Sequence, residues 1–180
     1  MLSLLPDFAD PLRLCALGKV YEGTVALAVL PRLAPLLTSS EGEAAFVLAF
    51  ETDAQRRPVV SVGVRAALLV RCQRCLQPMT VNVDSESQLA VVSGPDEAER
   101  LPDELDPLLV EQGRLELRSL IEDELILAVP AAPLHAPADC DVDLNALNRF
   151  DGDEAEELEN TRENPFAALA KLKNEPSEDD

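Results

Sequence analysis

Val70-Arg71-Cys72-Gln73-Arg74-Cys75-Leu76-Gln77-Pro78 joins two long apolar runs and carries the one close pair of cysteines in the chain. A C-x-x-C turn holds two thiols near enough to share a metal ion or to form a redox pair. Far downstream lie His135 and Cys140, spaced H-x4-C. Together Cys72, Cys75, His135 and Cys140 offer three sulfurs and one imidazole, a set that a tetrahedral zinc site accepts. A lone histidine is more often a packed or surface residue than a ligand. The cysteine that follows it here favours the metal reading.

On both sides of the turn the sequence reads as strand. From Val59 to Arg71, residues Val60, Val62, Val64, Ala66, Leu68 and Val70 alternate with Ser61, Gly63, Arg65, Ala67, Leu69 and Arg71. A period of two over this length predicts a strand buried on one face. Met79 to Val92 resumes the pattern with Val81, Val83, Leu89, Val91 and Val92. The two runs predict a long hairpin with the cysteines at its tip, and Pro78 falls where a missing N–H is tolerated. Strand flanks on both sides also weigh against thioredoxin-like chemistry, which places its first cysteine at a helix N-terminus.

Upstream, Asp10-Pro11 is an N-cap followed by proline at the first helical position, and Gly18 is a stop, so residues 11–17 predict a short helix. Cys15 on it reads as a small core residue. Val20 to Leu30 and Glu43 to Glu51 predict strands, separated by a loop rich in Pro, Thr and Ser. Downstream, residues 96–107 predict an acidic surface connection and Leu108 to Val110 a short strand. Leu117, Leu120, Ile121, Leu125 and Ala128 follow helical spacing and predict a helix over Leu117 to Ala128. Glu122, Asp123 and Glu124 on that helix read as a solvated face, because three consecutive residues splay over a wide arc.

The expected fold is therefore α+β: an antiparallel, curved sheet built around the hairpin and packed by one amphipathic helix, with short N- and C-terminal helices. The expected organisation is a single domain over 1–138, an acidic flexible linker over 139–163, a short amphipathic helix over 164–173 and a tail over 174–180. Asn164-Pro165 supplies the cap of the last helix, and Phe166, Leu169 and Ala170 its apolar stripe. Phe166 and Leu169 are the residues expected to meet a partner.

Charge narrows the function. The 180 residues carry 34 acids against 15 bases, a net charge of −19. That argues against a chain that merely coats nucleic acid. The acids gather in the second half, leaving the first half close to neutral with Arg56, Arg57, Arg65, Arg71 and Arg74. Arg65, Arg71 and Arg74 are the candidate RNA contacts; the plainer reading is solvated arginines at sheet edges. Four cysteines, one of them remote, do not form a secretory disulfide framework. Met1 to Leu5 lacks a basic region, and the apolar run Val25 to Leu37 is broken by Pro31, Arg32 and Pro35. No signal peptide, membrane contact or bilayer span is expected, and the expected location is the cytoplasm. No phosphate-cradling glycine loop or nucleophile motif points to an enzyme or a small-molecule substrate.

Three stretches in order resemble the YceD family of large ribosomal RNA subunit accumulation proteins. They are Arg71-Cys-Gln-Arg-Cys75 with Pro78, then Ile121-Glu-Asp-Glu-Leu-Ile-Leu-Ala-Val-Pro130 with His135 and Cys140 behind it, and Asn164-Pro-Phe-Ala-Ala-Leu-Ala-Lys-Leu-Lys173. The resemblance covers nearly the whole chain. Many members carry cysteines near the position of His135, while the proteobacterial branch is similar to this chain in its His-x4-Cys. The resemblance implies a non-enzymatic factor for the synthesis, processing or stability of 23S rRNA in ribosome biogenesis. The implied partners are large-subunit rRNA or pre-ribosomal particles. The alternative is an acidic, chaperone-like module for a basic ribosomal protein, with only indirect effects on RNA.

Overall fold

The computed structural model describes residues 5–110, 113–140 and 142. All but Val142 belong to one compact unit, Met1–Cys140. Apart from Asp139, Cys140 and Val142, the expected linker and the C-terminal helix, with Phe166 and Leu169, lie outside the described residues.

Strand β1 (Phe8–Ala9) is followed by helix α1 (Pro11–Ala16), strands β2 (Val20–Ala26), β3 (Leu37–Ser39), β4 (Glu43–Thr52), β5 (Pro58–Arg71) and β6 (Pro78–Val92), the short helix α2 (Pro95–Ala98), strands β7 (Asp106–Leu109) and β8 (Leu115–Glu116), and helix α3 (Leu117–Ala128). The fold is α+β, with a mostly antiparallel sheet. Its strand order is β2-β4-β5-β6-β7, with β3 paired to β5 off this path; β1 and β8 form a separate pair.

β5 and β6 pair antiparallel from Val59↔Ala90 to Arg71↔Pro78. At about 3.4 Å per residue the 14 residues of β5 span about 45 Å. β4 is shorter and covers only Pro58 to Arg65 of its edge. β3 takes over that edge further along, opposite Leu69 and Val70. So the segment read as a loop after Pro31 also contributes a strand. β7 runs parallel to β6, from Leu89↔Asp106 to Val92↔Leu109, and is the exception to the antiparallel expectation. The intervening chain, with α2 in it, carries β7 back to run in the direction of β6, as no tight turn could.

The alternation read from the sequence sets the core. Val60, Val62, Val64, Leu68 and Val70 of β5 are buried, together with Phe46, Leu48 and Phe50 of β4 and Val83 and Val91 of β6. Leu27, Leu30 and Leu33, from the 3-10 turn and loop after β2, close the core with Leu117, Leu120, Ile121 and Leu125 of α3. α1 begins as expected: the Asp10 carboxylate accepts from the Leu12 and Arg13 amides, and Pro11 opens the helix. Gly18 follows with φ +58, a left-handed position that glycine takes without steric cost.

The acids of α3 differ from the expected solvated face. Glu122 is only 4% exposed and Glu124 8%. Glu122 Oε1 accepts from the backbone N–H of Arg32 at 2.6 Å and of Leu33 at 3.1 Å. Its Oε2 accepts from Arg32 Nε at 3.0 Å. Glu124 accepts from the hydroxyls of Ser85 and Ser87, at 2.5 and 2.6 Å. The register explains those serines: Ser85 and Ser87 pair with Val64 and Val62, so they point into the core. Of the three acids only Asp123 faces solvent. A buried carboxylate is tolerated where donors await it, and no buried side-chain polar atom among the described residues lacks a partner.

Glu122 thus ties the loop after β2 to α3. Glu122→Ala leaves two amide donors without their acceptor, one of them on the fully buried Leu33. Urea denaturation is expected to show a loss of about 2–3 kcal/mol, against less than about 1 kcal/mol for Asp123→Ala on the exposed side of the same turn.

Candidate metal centre

The turn between β5 and β6 is a closed knuckle. The Cys72 amide donates to the Gln77 carbonyl at 2.9 Å and the Leu76 amide to the Cys72 carbonyl at 2.9 Å. Leu76 sits at φ +63, a left-handed conformation that costs a non-glycine residue about 1–2 kcal/mol. The Arg74 amide points at Cys72 Sγ, 3.5 Å away.

The chain after α3 packs against this knuckle. The Gln73 amide donates to the carbonyl of buried Pro133 at 2.8 Å. Arg74 Nη2 donates to the His135 carbonyl at 3.2 Å. The His135 amide donates to Cys72 Sγ at 3.5 Å. Residues Pro137–Asp139 form a 3-10 turn that leads into Cys140. These contacts bring Cys72, Cys75, His135 and Cys140 together, with one ligand atom of each within 4.8 Å of all the others. Cys75 Sγ and His135 Nδ1 are 3.3 Å apart.

Those spacings suit a metal. With Zn–S bonds of about 2.3 Å, the sulfurs of a tetrahedral site lie about 3.8 Å from one another. His135 would hold a metal through Nδ1, the ring nitrogen that faces Cys75 Sγ. The electrostatics agree. Burial pushes the Cys72 thiol up, but the amides of Cys75, His135 and Arg74 outweigh it and bring its pKa down to about 5. At Cys75 the Gln77 amide pulls down, but burial and the neighbouring Cys72 and Cys140 prevail, and this thiol is raised. A buried thiolate among N–H donors, beside further sulfurs that cannot all ionise without a cation, is a donor set that could hold a metal ion. Cys15, the fourth cysteine, stands apart: it is buried, its Sγ donates to the Val59 carbonyl at 3.5 Å, and burial pushes its thiol up. It packs, as expected.

The arginines scatter. Arg57 belongs to the turn between β4 and β5, where its Nε donates to Asp53 at 2.6 Å. Arg65 lies on the open face of the sheet, paired with Asp84 at 3.0 Å. Arg71 ends β5, exposed and with no ion pair among the described residues, and Arg74 is half-buried in the knuckle. A run of arginines that is compact in sequence is pulled apart by a strand about 45 Å long.

The position of the acid-free segments carried no obvious signal in the sequence. Residues 33–40, 66–82 and 125–138 hold no acid, in a chain with 34 of them. Strand β3 and the Gln73–Pro133 bond bring the three together around the knuckle. A groove of about 380 Å³ lies between them, with Leu36, Thr38, Arg71, Gln73 and Pro130 among its walls.

The model of the family described as large ribosomal RNA subunit accumulation protein YceD matches residues 60–173. The chain belongs to the YceD family. A YceD protein of Haemophilus influenzae, also named large ribosomal RNA subunit accumulation protein, is 34% identical over 170 residues, covering 94% of this chain and 96% of its own. No solved structure matches the chain. Among the described residues no helix is long and apolar enough to cross a membrane. The YceD match begins at Val60 and so takes in nearly all of β5, the knuckle and α3.

The low Cys72 value has a sign. A thiol whose folded-state pKa is depressed contributes stability above its unfolded value and loses that contribution as pH falls through about 5. In metal-free protein, ultraviolet thiolate absorbance is expected to persist at pH 7 and to vanish in one step near pH 5. Cys72→Ser is expected to remove that step.

Proposed function

We propose that this protein is a non-enzymatic factor of ribosome biogenesis that supports the accumulation of large-subunit 23S rRNA, holding RNA of the pre-ribosomal particle at the knuckle end of the domain. Family membership supports the process. The observation that carries the mode of action is the scarcity of acids at that end, where Asp139, beside Cys140, is the nearest carboxylate in sequence to the four clustered residues. Around the knuckle the three converging segments present Arg71 and Arg74 and no carboxylate. Phosphate binding depends on cations and is opposed by acids, so in a chain of net charge −19 this is the surface an RNA backbone can approach. Arg65, tied to Asp84, marks the margin of that surface.

In this reading zinc occupies the Cys72, Cys75, His135 and Cys140 site and fixes the knuckle that presents the arginines, as zinc knuckles present basic residues to RNA. The tether over 139–163 and the segment over 164–173, with Phe166 and Leu169, provide a second contact to the particle. The protein acts in the cytoplasm, where ribosomes are assembled.

Two outcomes are expected. Metal analysis of protein purified without chelator should give about one zinc per chain, and Cys140→Ser should lower zinc retention during dialysis against a chelator. Substoichiometric metal with Cys72, Cys75 and Cys140 freely titratable in the native protein would remove zinc from the scheme. A strain lacking the protein should show a depressed ratio of large- to small-subunit rRNA. Wild type should restore the ratio, and neither Cys72→Ser with Cys75→Ser nor Arg71→Glu with Arg74→Glu should do so. Full rescue by the arginine variant would place the RNA contact elsewhere, and an unchanged ratio in the deletion strain would overturn the function itself.

A further inference from the structure

We propose that the outer face of the sheet carries a docking groove for an extended, basic segment of a partner protein. The groove measures about 410 Å³ and lies across β4, β5 and β6, on the side away from α3. Its floor is Ala45, Val47, Ala49, Ser61 and Gly63. Val47 is 45% exposed, a large apolar side chain at the centre of a sheet.

Gly63 is the residue that points to an occupant. It sits mid-way along β5, opposite Val47 on one side and Glu86 on the other. Nothing in the fold demands glycine there. Its φ lies outside the left-handed region, and an added Cβ would meet nothing closer than the Val47 carbonyl at 3.9 Å. A glycine inside a strand weakens the sheet, and where the strand's own geometry does not need it, it marks a place where another chain comes close. Here its effect is to leave the floor of the groove open.

The rim selects the charge of that chain. Asp84 and Glu86 line the groove, and Glu22 of β2 stands beside Val47 in the register. The single guanidinium there, Arg65, is taken up by Asp84. Glu22 and Glu86 have no ion pair among the described residues. Exposed carboxylates along an apolar floor complement a segment with lysine or arginine on one side and small apolar side chains on the other. The alternation of an extended strand supplies that pattern. A phosphate backbone would be repelled, and so would a second copy of the same acidic face. The groove is separate from the knuckle end, so this inference stands or falls apart from the RNA reading.

The test uses the full chain and a labelled peptide of about ten residues alternating Lys and Val, with a Glu and Val peptide as control, read by fluorescence anisotropy at low salt. The basic peptide is expected to bind and the acidic one not to. The Cβ of Gly63→Val meets nothing closer than 3.9 Å and its methyls point into the open groove, so its melting temperature should equal or exceed that of wild type while peptide affinity falls about ten-fold or more. Glu86→Lys, an exposed change that leaves the floor intact, should weaken binding to a similar degree. No binding by wild type, or equal binding by wild type and both variants, would overturn the proposal; in the second case the acid-rich end of the chain is what holds the peptide. Loss on Gly63→Val of a self-association seen by sedimentation, or of single-stranded RNA binding rather than peptide binding, would assign the groove to those occupants instead.

Discussion

The antiparallel pairing of β5 with β6 is the constraint from which the rest of the domain follows. The two strands share a register that runs without a break from Val59↔Ala90 to Arg71↔Pro78. With a side-chain period of two, that register fixes which residues form the core and which form the open face. It turns Val62 and Val64 inward together with Ser85 and Ser87. It also brings the chain to a knuckle at its far end, where Cys72 and Cys75 lie within reach of each other. A slip of one residue would bury Asp84 and Glu86 and expose the valines.

Much of this was legible in the sequence because it rests on local pattern. The alternation over Val59 to Arg71, the Asp10-Pro11 cap and the helical spacing of Leu117, Leu120, Ile121 and Leu125 each depend on near neighbours. The C-x-x-C and H-x4-C spacings named the four donors. What could not be read depends on residues distant in sequence. Glu122 looks like a surface acid until Arg32 and Leu33, about ninety residues earlier, present their amides to it. Glu124 is buried because two serines on β6 happen to fall on the inner face. The parallel β7 and the brief β3 have too few residues for a period to show, and their place is set by which stretch of edge the longer strands leave uncovered.

Charge, too, is organised by topology more than by sequence. The acid-free segments are separated by long acidic or mixed stretches, and only the fold makes one surface of them. The arginines behave in the opposite way: neighbours in sequence, they are spread from the Asp53 turn to the knuckle. One molecule therefore presents surfaces of different character, an acid-poor end with Arg71 and Arg74 and a sheet face with unpaired carboxylates. A factor with a net charge of −19 can approach an anionic partner through the first while keeping the rest of its surface from sticking to it.

The four donors also have a history within the folding chain. Cys75 and His135 are 60 residues apart, and β6, β7, β8 and α3 all lie between them. Two thiols at the tip of a nascent strand pair form only half a site. The other half arrives when α3 has docked and the chain after it has reached the knuckle through Gln73 and Pro133. The complete set of four is thus available only to a chain that has closed this long loop, and a metal held by all four would distinguish completed molecules from partly folded ones.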